Sequence, residues 1–154
     1  MKGQPIKVVF VDDQPIVRKG IRAYLGEHED ISMVGEAANG LEAVKLTEQL
    51  EPDVVLLDLL MPEMDGTETI KRILAVRPNQ RIIVLTAYFQ DDKIIQAVRE
   101  GACGYVRKDA LPGKLIQCIK KVYAGEQVID PALVWKSAIQ MSSEQSVAES
   151  PQAV

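Results

Sequence analysis

The sequence predicts an α/β protein: a doubly wound sheet of five parallel strands with helices on both faces and an additional C-terminal helix. Two observations carry the prediction. Short runs rich in β-branched residues alternate with segments of helical period in five successive pairs, the pattern of buried parallel strands joined by right-handed helical crossovers. Four of these runs also end in a polar or charged residue: Val8, Val9, Phe10 and Val11 lead into Asp12 and Asp13; Val54, Val55, Leu56 and Leu57 into Asp58; Ile82, Ile83, Val84 and Leu85 into Thr86; Gly104, Tyr105, Val106 and Arg107 into Lys108. In an open parallel sheet the ligand crevice lies at the carboxyl ends of the strands, so these side chains are expected to converge there.

The first strand is followed by a helix over residues 14–27, with Pro15 at its start and Val17, Ile21, Tyr24 and Leu25 on its inward stripe. Ile31–Ala37 reads as the second strand. Asn39-Gly40 turns the chain into a helix with Leu41, Val44, Thr47 and Leu50 inward, closed by Pro52. The third strand ends at Asp58. Residues 59–66, with Pro62 and Asp65-Gly66, form a loop before a helix carrying Ile70, Ile73 and Leu74 and stopped by Pro78. Arg81–Thr86 is the fourth strand and Asp91–Glu100 the fourth helix, with Asp91 and Asp92 at the positive end of its dipole and Gly101 at its close. A short fifth strand precedes a helix that starts after Pro112, turns Leu115, Ile119, Val122 and Tyr123 inward and ends at Gly125. Beyond it, Asp130-Pro131 starts a further helix with an apolar stripe of Val134, Trp135, Ala138, Ile139 and Met141, expected to dock on the preceding domain or on a second chain. Residues 142–154 have the composition of a tail or linker.

The 154 residues, 47% hydrophobic, suffice for one domain with a real core. The 18 basic residues are outnumbered by 22 acidic ones and dispersed, which argues against a nucleic-acid surface. No run resembles a signal peptide or approaches the ~20 apolar residues of a membrane span, so a cytoplasmic location is expected. Cys103 and Cys118 lack redox or zinc spacing and read as reduced, small core residues.

Carboxylates 4 Å apart repel by about 4 kcal/mol at an effective dielectric near 20, so three at one crevice call for a cation. An all-oxygen set from Asp12, Asp13 and Asp58 suits Mg²⁺, and the want of nearby His or Cys argues against zinc. Asp58, alone at the end of the middle strand, is then the candidate nucleophile toward a phosphoryl group, with Lys108 and Thr86 to bind the transferred oxygens. Taken singly, Asp12 or Asp13 reads as a helix cap, Thr86 as a cap and Lys108 as a surface charge. Their joint placement at strand ends favours the chemistry.

Over residues 7–125 the chain resembles the receiver domain of bacterial two-component response regulators. The motifs are the acidic pair in FVDDQP, the loop LLDLLMPEMDG, VLTAY after the fourth strand and GYVRKDAL after the fifth. The resemblance implies a flavodoxin-like (CheY-like) sheet of order 2-1-3-4-5. It implies phosphorylation of Asp58, Mg²⁺ held by Asp13 directly, by Asp12 largely through water and by the carbonyl of Leu60, and a switch pair Thr86 and Tyr105. Many receivers place Pro after the active-site Lys, where this chain has Asp109, leaving the geometry of that bond open. GKLIQCIKKVYAGEQVIDPAL is similar to the receiver end of LuxR-type (NarL/FixJ-like) regulators.

That similarity implies a sensor histidine kinase as partner, with Arg18, Arg22 and Tyr24 in the kinase-facing region, a homodimer, and transcriptional output through a helix-turn-helix domain. Residues after Met141 do not supply such a domain, so DNA is expected to be reached only through an effector outside these residues. The division expected is a receiver over 1–126, a linker and additional helix over 127–141 and a tail over 142–154. No turnover enzyme is expected, only self-phosphorylation and dephosphorylation. A stand-alone receiver acting as relay or adaptor is the alternative. A haloacid dehalogenase-type phosphatase would need an Asp two residues after the nucleophile, where Leu60 stands. A nucleotide-binding module would need a Gly-rich phosphate cradle that the strand-helix turns do not carry.

Overall fold

The computed structural model describes residues 3–61, 65–86 and 91–130 together with Ala132, Trp135, Ala138 and Ile139, the side chains of Asp91 and Asp109 excepted. Five strands, β1 (Ile6–Val11), β2 (Ile31–Ala37), β3 (Val54–Asp58), β4 (Arg81–Thr86) and β5 (Gly104–Arg107), alternate with five helices, α1 (Pro15–Leu25), α2 (Gly40–Leu50), α3 (Gly66–Val76), α4 (Asp91–Glu100) and α5 (Gly113–Tyr123). The strands form one sheet in the order β2-β1-β3-β4-β5, with every neighbour parallel. Chain direction across the sheet reverses between β1 and β3, and a crevice opens at that switch point.

Strand alternation divides the core. Val9, Val11, Val55, Leu57, Ile82 and Val84 face one side, where they pack with Ala43 of α2, Ile70 and Ile73 of α3, and Ile94 and Ile95 of α4. Val8, Phe10, Val54, Leu56, Ile83, Leu85 and Val106 face the other, with Ile21 and Leu25 of α1 and Leu115, Ile119 and Val122 of α5. β3 is wholly buried, which is why its sequence is a continuous apolar run rather than an alternating one.

The helix ends follow local chemistry. Asn39 caps α2 through the Glu42 N–H at 2.9 Å while Glu42 accepts from the Ala38 N–H, and Asp65 caps α3 through the Glu68 N–H at 3.0 Å. α4 closes at Gly101, whose φ of +122° is one that side chains rarely adopt.

Two inward assignments are corrected. Leu41 is 55% and Tyr123 43% exposed. In α2 the buried residues are Gly40, Ala43 and Thr47, and in α5 they are Leu115, Ile116, Cys118, Ile119 and Val122. Gly40, Ala43 and Thr47 are spaced three and four apart and so share one face of α2, and Leu41 lies off that face. Cys118 is buried as expected, Cys103 partly so.

Past α5 the chain returns to the sheet. Val128 accepts from the Tyr105 N–H at 3.1 Å and donates to the Cys103 carbonyl at 2.9 Å, so residues around 128 cover the otherwise open edge of β5. The expected helix start is visible at Asp130, which accepts from the Ala132 N–H at 2.8 Å. Ala132, Trp135, Ala138 and Ile139 are helical, and Trp135 and Ile139 are 68% and 47% exposed. These two side chains are therefore not packed into the core of the α/β domain. The expectations for Pro62, Val134, Met141 and residues 142–154 lie outside the described residues.

Candidate phosphoacceptor and metal site

The sheet brings Asp12, just past β1, beside Asp58, the last residue of β3, because β1 and β3 are paired neighbours with Val11 opposite Leu57. Asp13 completes a cluster in which one carboxylate oxygen from each residue lies within 4.8 Å of the others. Lys108 opens a 3-10 turn over Lys108–Ala110 immediately after β5 and reaches across two strands. Its Nζ donates to Asp12 Oδ2 at 3.0 Å and to Asp58 Oδ2 at 3.2 Å. Of the five side chains expected to converge, the three carboxylates and the ammonium meet here.

Asp12 and Asp58 are 0% and 3% exposed, whereas Asp13 is half-buried. Gln14 N–H donates to Asp12 Oδ1 at 2.9 Å and Leu60 N–H donates to Asp58 Oδ1 at 3.1 Å. Burial pushes the Asp58 carboxyl above its ordinary value, against the opposing pull of the Leu60 N–H and the Lys108 charge. For Lys108 burial works downward, but the Asp12 hydrogen bond and the two carboxylate charges outweigh it and hold the ammonium above its usual value. A cation is thus fixed between two buried anions.

Thr86 is buried at the end of β4. Tyr105 is half-buried on β5 opposite Val84. Since Val84 and Thr86 share one parity on β4, Thr86 and Tyr105 lie on the α4 face of the sheet. The cis peptide bond falls at Leu111–Pro112, not at Lys108-Asp109. A contact that the sequence did not suggest is made by Arg18, whose Nη1 donates to the Asp12 carbonyl at 2.6 Å. An arginine six residues after an aspartate carries no signal of that pairing.

A five-stranded parallel sheet of this order, with clustered carboxylates and a lysine at its strand ends, is the architecture of a receiver-type signalling domain. Residues 8–120 match the response regulator receiver domain family, and the chain belongs to that family. It is 43% identical over 129 residues to the uncharacterized transcriptional regulatory protein YhcZ of Bacillus subtilis (strain 168), covering 84% of this chain and 60% of that protein. Among solved structures, a LuxR-family two-component response regulator from Aurantimonas sp. SI85-9A1 superimposes with a TM-score of 0.79 at 31% identity, covering 90% of this chain and 99% of that one. The Borrelia burgdorferi CheX-CheY-BeF3-Mg²⁺ complex gives a TM-score of 0.72 at 28% identity, over 79% of this chain and 91% of that one. The chain spans about three fifths of the length of the curated relatives it matches. No helix among the described residues is long and apolar enough to cross a membrane.

Proposed function

We propose that this receiver takes a phosphoryl group from a phosphohistidine of a sensor kinase onto Asp58. The observation that carries the reading is the buried Asp58 carboxylate, flanked by Asp12 and Asp13 and touched by the Lys108 ammonium. An Asp58 oxygen attacks phosphorus, the P–O bond forms as the P–N bond to the kinase imidazole breaks, and the product is an acyl phosphate. Leu60 N–H orients the carboxylate. Lys108, already within hydrogen-bonding distance, follows the charge as it passes to the phosphoryl oxygens.

The donor set fits Mg²⁺: among the described residues the cluster is three carboxylates with no His or Cys, and Mg²⁺ prefers a few carboxylates together with water and a phosphate oxygen. Asp13 would bind it directly, Asp12 largely through water, and the Leu60 carbonyl would add a ligand. Held by these residues, Mg²⁺ would supply positive charge to offset that of the attacking and transferred oxygens. Thr86 would donate its hydroxyl to the new phosphoryl group, and Tyr105, on the same face of the sheet, would repack inward in response.

Residues 1–126 form the receiver, and 127–141 a linker and helix that join it to an effector, with 142–154 as linker or tail. Output is transcription, through a helix-turn-helix domain beyond this chain and a phosphorylation-dependent homodimer in the cytoplasm. The longer relatives, one of them a transcriptional regulator by description, favour this over a stand-alone relay. The test is incubation with acetyl phosphate and Mg²⁺ followed by intact-protein mass spectrometry in mild acid. The parent chain gains one phosphoryl group and Asp58→Asn gains none while staying folded. Equal incorporation in the two would refute the assignment.

A further inference from the structure

Arg18 was expected to face a kinase. Its side chain is only 19% exposed and turns toward the site. Asp12 N–H makes the last rung between β1 and β2, to the Ala37 carbonyl at 3.0 Å. The Asp12 carbonyl lies past that rung, and the Arg18 guanidinium donates to it at 2.6 Å. Behind Arg18 stands Glu36 on β2, 3.7 Å from its Nε. Glu36 is itself held by Arg22 in a two-pronged pair at 2.5 and 2.9 Å, and that hydrogen-bonded pair keeps its carboxyl below the usual range.

We propose that Arg18 is a positioning residue for the metal: by gripping the Asp12 carbonyl it fixes the Asp12-Asp13 peptide and so sets the Mg²⁺ affinity of the cluster. The inference rests on the site reading above. The Asp12 carbonyl and the Asp13 N–H belong to one rigid plane, so rotation of that plane moves the Asp13 carboxylate bodily. Asp12 has anchors of its own in Lys108 and Gln14. Asp13's carboxylate has no hydrogen-bond partner among the described residues, and its position is set by the peptide that carries it. A charge-assisted bond to a planar guanidinium restrains that peptide more firmly than water would, and Glu36 with Arg22 keeps the guanidinium from swinging out to solvent.

The test is Mg²⁺ titration followed by backbone amide shifts in the parent chain, Arg18→Met, Arg18→Lys and Asp13→Ala, with the phosphorylation rate measured against Mg²⁺ concentration. Arg18→Met is expected to raise the Mg²⁺ dissociation constant about tenfold, the effect of losing an outer-shell partner, with the loss falling on the half-saturating Mg²⁺ concentration rather than on the saturated rate. Arg18→Lys, which keeps the charge without the fork, serves if the Met variant does not fold, and is expected to show a smaller rise. A lowered thermal midpoint with unchanged Mg²⁺ affinity in both Arg18 variants would overturn the proposal. If Asp13→Ala also leaves the affinity unchanged, the site reading itself fails; if Asp13→Ala weakens binding and the Arg18 variants do not, only the role of Arg18 falls.

Discussion

Replacing Lys108 by Met removes the ammonium from between two buried carboxylates and leaves a chain of similar length in place. At 3.0 Å from Asp12 and 3.2 Å from Asp58, each attraction amounts to about 5 kcal/mol at an effective dielectric near 20. Desolvation of the three groups offsets most of this, and breaking a buried pair typically costs about 3 to 5 kcal/mol. With one fifth of the Lys108 side chain exposed, a loss of about 3 kcal/mol is expected at pH 7, or roughly 10 °C in Tm for a domain of this size. The loss is pH-dependent. Burial already raises Asp58, and without the ammonium it rises further. A carboxyl raised in the folded state binds its proton more tightly there than in the unfolded chain, so it penalises the fold above its folded value. That penalty is relieved as pH falls toward the ordinary carboxylate range. The gap between parent and variant should therefore narrow between neutral and mildly acid pH. Thermal and urea unfolding in EDTA across that range provides the assay, and adding Mg²⁺ at pH 7 should stabilise the variant more than the parent. Equal stability of the two proteins at pH 7, or a gap that does not change with pH, would show that Lys108 does not neutralise the cluster.

At Gly66 a Cβ would stand 2.8 Å from the Leu59 Cα and 2.8 Å from its Cδ2, so Gly66→Ala must displace backbone next to Asp58. A loss of about 1 to 3 kcal/mol in urea unfolding is expected, and a change below about 0.5 kcal/mol, typical of a neutral surface site, would contradict that contact. Asp65→Ala removes the α3 cap and should lower stability by about 1 kcal/mol at neutral pH. Hydrogen bonds from Thr67 and from the Glu68 N–H hold the Asp65 carboxyl below its usual range. Its contribution is therefore complete above the unfolded value and fades as pH falls through the folded one, so the two proteins should converge in acid. The Cys118 thiol, pushed up to about 12 by burial, should resist an aromatic disulfide reagent at pH 8 until the chain is unfolded. Its rapid labelling in the native protein would contradict the packing around α5.

By itself the sequence determined the five strands and their order of alternation with helices. Strands buried on both faces must be apolar throughout, so Val54–Asp58 and Arg81–Thr86 announce both their extent and the polar residue at which they stop. That residue lies at the crevice for a topological reason, and so the members of the site were legible before their distances were. The phase of the amphipathic helices was less legible. Buried Gly40, Ala43 and Cys118 add little to an apolar stripe, while Leu41 and Tyr123 add much and lie outside. Only the tertiary structure decided how deeply Asp12 and Asp58 are buried, that Lys108 touches both, that Val128 closes the β5 edge and that Arg18 turns inward onto Asp12. Each of these is a contact between residues distant in sequence or a choice of side-chain direction, and such outcomes depend on which surfaces meet once the sheet is assembled rather than on any local spacing.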